Sequence, residues 1–443
     1  MDIQTVINKY NLNPLYLENP NKEYAFTTVL DNALKLKKDF IFIPFATNTD
    51  SVYDLILQAF ATPYCKGFIL NSSALENANF KPRFHSLMKN CSYKSEVILL
   101  AQNIYNFANS MALENSQRYD FETISIVGTQ ETSTIVQMLV HNLKEKKISY
   151  SNDNWNCWQK IFEPLLFCDE ETEFAILEAV PEKLNLTGFV SNFKNNNIIF
   201  SKSSLYNMRL YTDLEQLSDE LIKSLKISDN ILSITTLEDN ELVNPKISYK
   251  YQTRLNIVTE SSNREFSQDI YYLNRCSELV ESFLNKKGLT VQPWNDFIET
   301  FPLYQTKNNK GVDYLILNKY KLSVDTITKS LKTFFKLYEN KRKVVILEHI
   351  LNLGNYKETV YANLMRDIAL HNPDILILLN SSAYTHLFKR FNKKTYVQSI
   401  QYTSDNQKSI SDFNRFVKST LPGNCAVYIV SAQDLSELYA EDK

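Results

Sequence analysis

The stretch Thr123-Ile-Ser-Ile-Val-Gly-Thr-Gln-Glu-Thr-Ser-Thr-Ile135 constrains the fold more than any other part of the chain. An apolar, β-branched run breaks at one glycine and passes into a pattern with apolar residues three and four apart. That change of period predicts a strand, a short loop and a helix. The joint reads in two ways: as a plain turn between strand and helix, or as a phosphate-binding loop whose chemistry has been removed.

A working P-loop needs glycines so that successive backbone N–H groups can wrap the phosphates. It also needs a lysine for the outer phosphates and a Ser or Thr hydroxyl for Mg²⁺. Here Gly128, Ser133 and Thr134 stand where that design wants them, but Glu131 replaces the second glycine and Thr132 replaces the lysine. Near a protein surface a unit charge at roughly 4 Å is worth about 4 kcal/mol. Exchanging a cation for an anion there works against nucleotide.

Glycine scarcity extends the point. Seven glycines in 443 residues fall far below the average usage of about 7%. Phosphate cradles and dinucleotide fingerprints depend on glycine's backbone freedom. A length of 443 residues with 44% hydrophobic and 22% charged content is an ordinary globular composition, long enough for two or three domains. A formal net charge of −2 supplies no field for nucleic acid or an anionic membrane. No apolar run reaches the roughly 18 residues of a membrane helix, and the start of the chain lacks a signal peptide's basic and apolar regions. The expectation is a cytoplasmic protein without membrane insertion. Six scattered cysteines and five dispersed histidines read as buried free thiols and no metal site.

Along residues 1–120, Phe40–Phe45 and Gly67–Leu70 read as strands, and Ser51–Phe60 and Ser95–Ala108 as helices, with Glu114–Asp120 as a polar hinge. From 121 to 310, the Thr123–Ile135 joint is followed by a strand at Glu173–Glu178, a strand at Asn197–Phe200 and a helix at Asp213–Leu225. From 311 to 443, Val312–Leu317, Lys343–Leu347, Asp374–Leu379 and Ala426–Val430 are short apolar runs of parallel-strand type. Helical patterns at Ser323–Tyr338 and Tyr356–Leu370 lie between them. The reading is an α/β protein of three domains, with a central parallel sheet of P-loop type and a doubly wound C-terminal domain.

This order resembles the Mur ligases, and within them the branch that adds D-alanyl-D-alanine to UDP-N-acetylmuramoyl-tripeptide. Ile124–Thr134 overlays that family's phosphate loop, and Asn154-Trp-Asn156 with Pro164-Leu-Leu166 echoes its Asn-rich segment. Glu173–Glu178 is similar to the strand ending in a metal-binding Glu, and Val344–Gly354 to a strand and turn of the third domain. The resemblance implies ATP-dependent amide bond formation through an acyl phosphate, with Mg²⁺, a phosphate-loop lysine and a third-domain cation. Most of those groups are missing. The family's central-domain histidine falls near Asn207 and its modified lysine near Leu221. Its acidic and amide motif entering the third domain falls on Leu317–Val324, where only Tyr320 remains, and a late basic segment falls on Val430–Gln433. The arginine expected beside Thr28 is also absent.

The vestigial nucleotide-binding positions are therefore Gly128, Thr129, Thr132, Ser133, Thr134, Asn154, Glu178 and Tyr320, with no catalytic residue and no metal ligand assigned. Each has a plainer reading. Ser133 and Thr134 suit a helix start, Asn154 a turn, and Glu178 a strand-end acid in a solvated crevice. Trp155 and Trp158 suit either a core or a partner surface. The function expected is a catalytically inactive, peptidoglycan-related protein that binds or scaffolds a protein partner and uses no cofactor. The alternatives are a divergent amide ligase using ATP and Mg²⁺, or a subunit whose partner supplies the missing cations.

Overall fold

The computed structural model describes residues 2–28, 38–45, 49–90, 95–128, 132–151, 159–179, 195–201, 211–213, 215–217, 219, 228–235, 255–259, 271–292, 304–309, 312–318, 324–348, 357–379, 384–392, 394–400, 421 and 424–431. The chain falls into two compact units. One comprises Met1–Ile126, Leu143–Ile198 and Lys226–Asp229; the other comprises Val127–Asn142, Ile199–Leu225 and Asn230–Lys443.

The first unit opens with helix α1 (Ile3–Tyr10) and strand β1 (Asn13–Leu17). Asp2 caps α1 by accepting the Thr5 N–H at 2.8 Å. There follow β2 (Ala25–Thr27), β3 (Phe40–Phe42), α2 (Thr49–Phe60), β4 (Cys65–Asn71), α3 (Phe80–Asn90), β5 (Val97–Ala101) and α4 (Ile104–Arg118). The five strands lie in the order β1-β5-β4-β3-β2. β2 to β5 are parallel, and β1 is antiparallel to β5.

Phe40, Phe42, Phe68 and Leu70 occupy alternate strand positions and pack with Ile56 and Phe60 of α2 and Phe80 and Phe84 of α3. Gly67 sits where β4 and β5 crowd together: a Cβ there would stand 1.9 Å from the Val97 carbonyl oxygen.

Two sequence expectations change here. The stretch from Ser95 to Ala108 is not one helix but strand β5, a break, and the start of α4. Five consecutive apolar residues fit a fully buried strand as well as a helix face. The junction is Asn103, whose side chain accepts the N–H groups of Tyr105 and Asn106 and so starts the helix. Most of the polar segment Glu114–Asp120 is helical rather than a loop, since α4 continues through Arg118 and Glu114 pairs with Arg118 one turn on, at 2.8 Å.

A second sheet has the order β11-β10-β9-β6-β8-β7. Its strands are β6 (Glu122–Val127), β7 (Ile148–Tyr150), β8 (Phe174–Ala179), β9 (Asn195–Phe200), β10 (Ser228–Thr235) and β11 (Leu255–Thr259). β7–β8 and β10–β11 are parallel pairs. Beside β6, the Asn197 side-chain amide of β9 donates to the Thr123 carbonyl at 3.3 Å, and the Ser201 N–H donates to the Val127 carbonyl at 2.8 Å. Helices α5 (Thr132–Asn142), α6 (Gln159–Leu166) and α7 (Tyr271–Lys286) belong to this part of the chain. The helix expected at Asp213–Leu225 lies mostly outside the described residues.

The third sheet has the order β12-β13-β17-β14-β15-β16. Its strands are β12 (Tyr304–Asn309), β13 (Val312–Asn318), β14 (Arg342–Glu348), β15 (Ile375–Leu379), β16 (Tyr396–Ile400) and β17 (Cys425–Ser431). β12 and β13 form an antiparallel hairpin, and the remaining neighbours are parallel. Val345, Leu347, Leu376, Leu378, Tyr428 and Val430 face helices α8 (Val324–Leu337), α9 (Lys357–Leu370) and α10 (Thr385–Phe391). Val344, Ile346, Ile377, Val427 and Ile429 face the opposite side, where Leu421 packs. The four apolar runs read from the sequence are β13, β14, β15 and β17.

Among the described residues no helix is long and apolar enough to cross a membrane. Cys65, Cys168, Cys276 and Cys425 are buried free thiols, as expected. Cys91 and Cys157 lie outside the described residues.

Candidate functional site

Strand β6 is buried from Thr123 to Val127. It ends at Gly128, whose φ of 157° is an angle that residues with side chains rarely adopt. Helix α5 then begins at Thr132. Its first turn turns Thr132 and Thr134 inward, at 6% and 1% exposure, and leaves Ser133 half-buried. Ile135, Val136, Met138 and Leu139 continue the buried face. Thr132, Ser133, Thr134 and Ile135 carry no charge.

Ser201, just past β9, closes this end of β6: its N–H donates to the Val127 carbonyl at 2.8 Å. At the other end of α5, Asn142 donates to Met138 O at 2.8 Å and accepts the Gln292 N–H at 2.7 Å. Gly128, Thr132, Ser133 and Thr134 thus stand together in the second unit.

Glu178 belongs to the first unit, as the penultimate residue of a strand buried at every position. At 4% exposure it does not sit in a solvated crevice. Thr129, Asn154 and Tyr320 lie outside the described residues, as do Trp155 and Trp158. Among the described residues no three His, Cys, Asp or Glu side chains converge as a metal site.

Among the described residues of this joint, Gly128 and Thr132–Ile135, none is a cation. Buried threonine hydroxyls stand at the start of α5, and a triphosphate needs a cation within reach there.

Sequence reasoning missed Glu163, on α6 between Phe162 and Pro164. Its carboxylate is fully buried. Oε1 accepts the Thr27 hydroxyl at 2.9 Å, and Oε2 accepts the Thr28 N–H at 2.9 Å and the Thr28 hydroxyl as well. The last carbonyls of α6 are also satisfied by side chains, as a buried helix end requires. Ser149 donates to Pro164 O at 2.5 Å, and Asn115 donates to Leu165 O at 3.1 Å. A signal was present: one acid within Ile161-Phe-Glu-Pro-Leu-Leu-Phe167, an otherwise apolar run, is a buried acid in need of donors.

The first unit also holds a pocket of about 450 Å³, lined among others by Lys22, Tyr24, Asp39, Glu114, Arg118 and Asp169. Several of its charges are paired. Lys22 lies 2.7 Å from both Asp39 and Glu96, Tyr24 donates to Glu96 at 2.7 Å, and Glu114 pairs with Lys9 and Arg118. Burial works to raise the Glu96 carboxyl, but the hydrogen bonds from Lys22 and Tyr24 outweigh it and hold the group below its usual range. Burial, with the neighbouring Glu96, pushes the Tyr24 phenol up. Burial likewise pushes the Cys168 thiol up to about 12, which makes it a poor nucleophile.

In the third sheet, the carboxyl ends of adjacent strands also carry a buried acid. Glu348 of β14 accepts the Ser431 hydroxyl of β17 at 2.8 Å, and both residues are buried.

The chain as a whole is similar in structure to solved proteins. The chain matches the MurF ligase of Thermotoga maritima, determined in complex with ADP, with a TM-score of 0.62 over 94% of this chain and 96% of that one, at 13% identity. The fold is that of the Mur ligases. MurF from Acinetobacter baumannii matches with a TM-score of 0.62 over 98% of this chain and 95% of that chain, at 10% identity. Folylpolyglutamate synthase of Mycobacterium tuberculosis, complexed with ADP and AMPPCP, matches with a TM-score of 0.50 over 76% of this chain and 95% of that one, at 10% identity. No family model and no curated protein matches the sequence. The Mur ligase fold is therefore present at a sequence distance where the fold is all that the likeness carries.

Proposed function

We propose that this chain is a Mur-ligase-fold protein that no longer ligates and instead binds or scaffolds a protein partner in the cytoplasm. The observation that carries the reading is Thr132. It is the first residue of α5 and buried, at the position where the fold's phosphate chemistry would require a lysine. The replacement of a glycine by Glu131 points the same way, because an anion in the loop repels phosphate. The losses read at Asn207, Leu221 and Val430–Gln433 place the same deficit in other parts of the chain.

Release of phosphate from Mg²⁺-ATP, measured on the purified chain with and without a UDP-muramoyl-peptide and D-alanyl-D-alanine, tests this reading. No release above buffer is the expected result. Turnover that depends on the peptide would refute it.

A second reading keeps ATP chemistry but supplies the cation from another chain, as an arginine finger does. Ser133 favours it, since its hydroxyl at the start of α5 stands where a phosphate-binding loop places its Mg²⁺ ligand. Under this reading phosphate release appears only when the co-purified partner is added.

A further inference from the structure

Ligands of open parallel sheets bind outside the carboxyl ends of the strands. In the first sheet that end of edge strand β2 is Thr27, followed by Thr28, and both residues are buried. Their two hydroxyls and the Thr28 N–H converge on one point and divide between two oxygens: Thr27 Oγ1 on Oε1 of Glu163, and Thr28 N and Oγ1 on Oε2. One backbone donor and two side-chain donors, split over a pair of oxygens, make a geometry built for a carboxylate.

The oxygens come from a residue 135 positions away in sequence. The ring of Phe162, the preceding residue, packs 5.9 Å from Phe45, and Phe45 lies 5.0 Å from Tyr105. These rings pack together just past the end of β3.

We infer that the carboxyl end of β2 is a carboxylate-binding cradle that this chain fills with its own Glu163. Glu163 acts as a built-in ligand. It occupies the ligand end of the first sheet from inside and ties β2 to α6, so free carboxylates find the cradle taken. The claim concerns the first unit alone and stands whether or not the chain has lost ATP chemistry.

Chemical rescue tests it. Glu163→Ala removes the carboxylate and leaves space for a small one. Thermal unfolding of the full chain is compared in sodium formate and in sodium chloride at equal ionic strength. Glu163→Ala is expected to unfold several degrees below the wild type in chloride and to regain part of that loss in formate, saturably. The wild type is expected to give the same midpoint in both salts. An equal formate gain in the wild type, or no formate-specific gain in Glu163→Ala, overturns the proposal. If Glu163→Ala folds only poorly, its refolding yield in formate against chloride gives the same reading. Glu163→Gln keeps the volume and replaces one acceptor oxygen with a donor. It is expected to lose stability without responding to formate, and wild-type stability in Glu163→Gln would show that the cradle does not need a carboxylate.

Discussion

The side-chain oxygen of Asn142 accepts the backbone N–H of Gln292 at 2.7 Å, across 150 positions of sequence. Asn142 is the last residue of α5, the helix that follows the Gly128 loop, and Gln292 lies just past α7. The same amide donates to Met138 O, so one side chain holds the helix end and the returning chain together.

Asn142→Ala leaves the Gln292 N–H without this acceptor. Orphaning a buried donor costs about 1–3 kcal/mol, and this part-buried one belongs at the lower end. Urea unfolding is expected to show a lower midpoint with the slope unchanged, because the surface exposed on unfolding stays the same.

Gly67→Ala addresses the packing of β4 on β5. The new Cβ would stand 1.9 Å from a backbone oxygen, which cannot swing aside as a flexible side chain would. Overpacking costs about 1–3 kcal/mol and occasionally more, and a backbone clash belongs at the upper end. Thermal unfolding is expected to show the largest loss among single substitutions in this sheet.

Acid stability follows from Glu96. Its carboxyl is held below the ordinary value of 4.5 in the folded chain, so its contribution is present above the unfolded pKa and is lost as pH falls through the folded one. Lys22→Met removes the cation that holds the carboxyl down and leaves Tyr24 alone against the effect of burial. A melting-temperature profile from pH 7 to pH 3 is expected to begin its decline at higher pH in the variant than in the wild type. Coincident profiles would exclude a role for this cluster in acid stability.

Much of the fold could be read from the sequence where burial is complete. Val344–Leu347 and Ile375–Leu379 are continuous apolar runs because both faces of a parallel sheet are covered, and they became β14 and β15. The same continuity misled at Val97–Ala101, where a buried strand and a helix face look alike and only Asn103 marks the boundary. The hairpin of β12 was missed although only two residues, the second of them Gly311, separate its strands. The candidate loop was legible because its residues are consecutive. Glu163 was not, because its donors Thr27 and Thr28 are brought to it only by tertiary folding.

Thr132→Lys returns the missing cation to the loop. No gain of ATP turnover is expected, because Glu131 and the other replaced positions remain, and stability is expected to fall because a lysine is placed at a buried site. Phosphate release and thermal unfolding of the variant read the two effects separately.

The central claim is that the Mur ligase fold here no longer holds nucleotide. Isothermal titration of the purified chain with Mg²⁺-ATP measures that directly. No binding heat is expected up to about millimolar ATP, an affinity weaker than about −4 kcal/mol. Saturable binding in the micromolar range by the chain alone would contradict it.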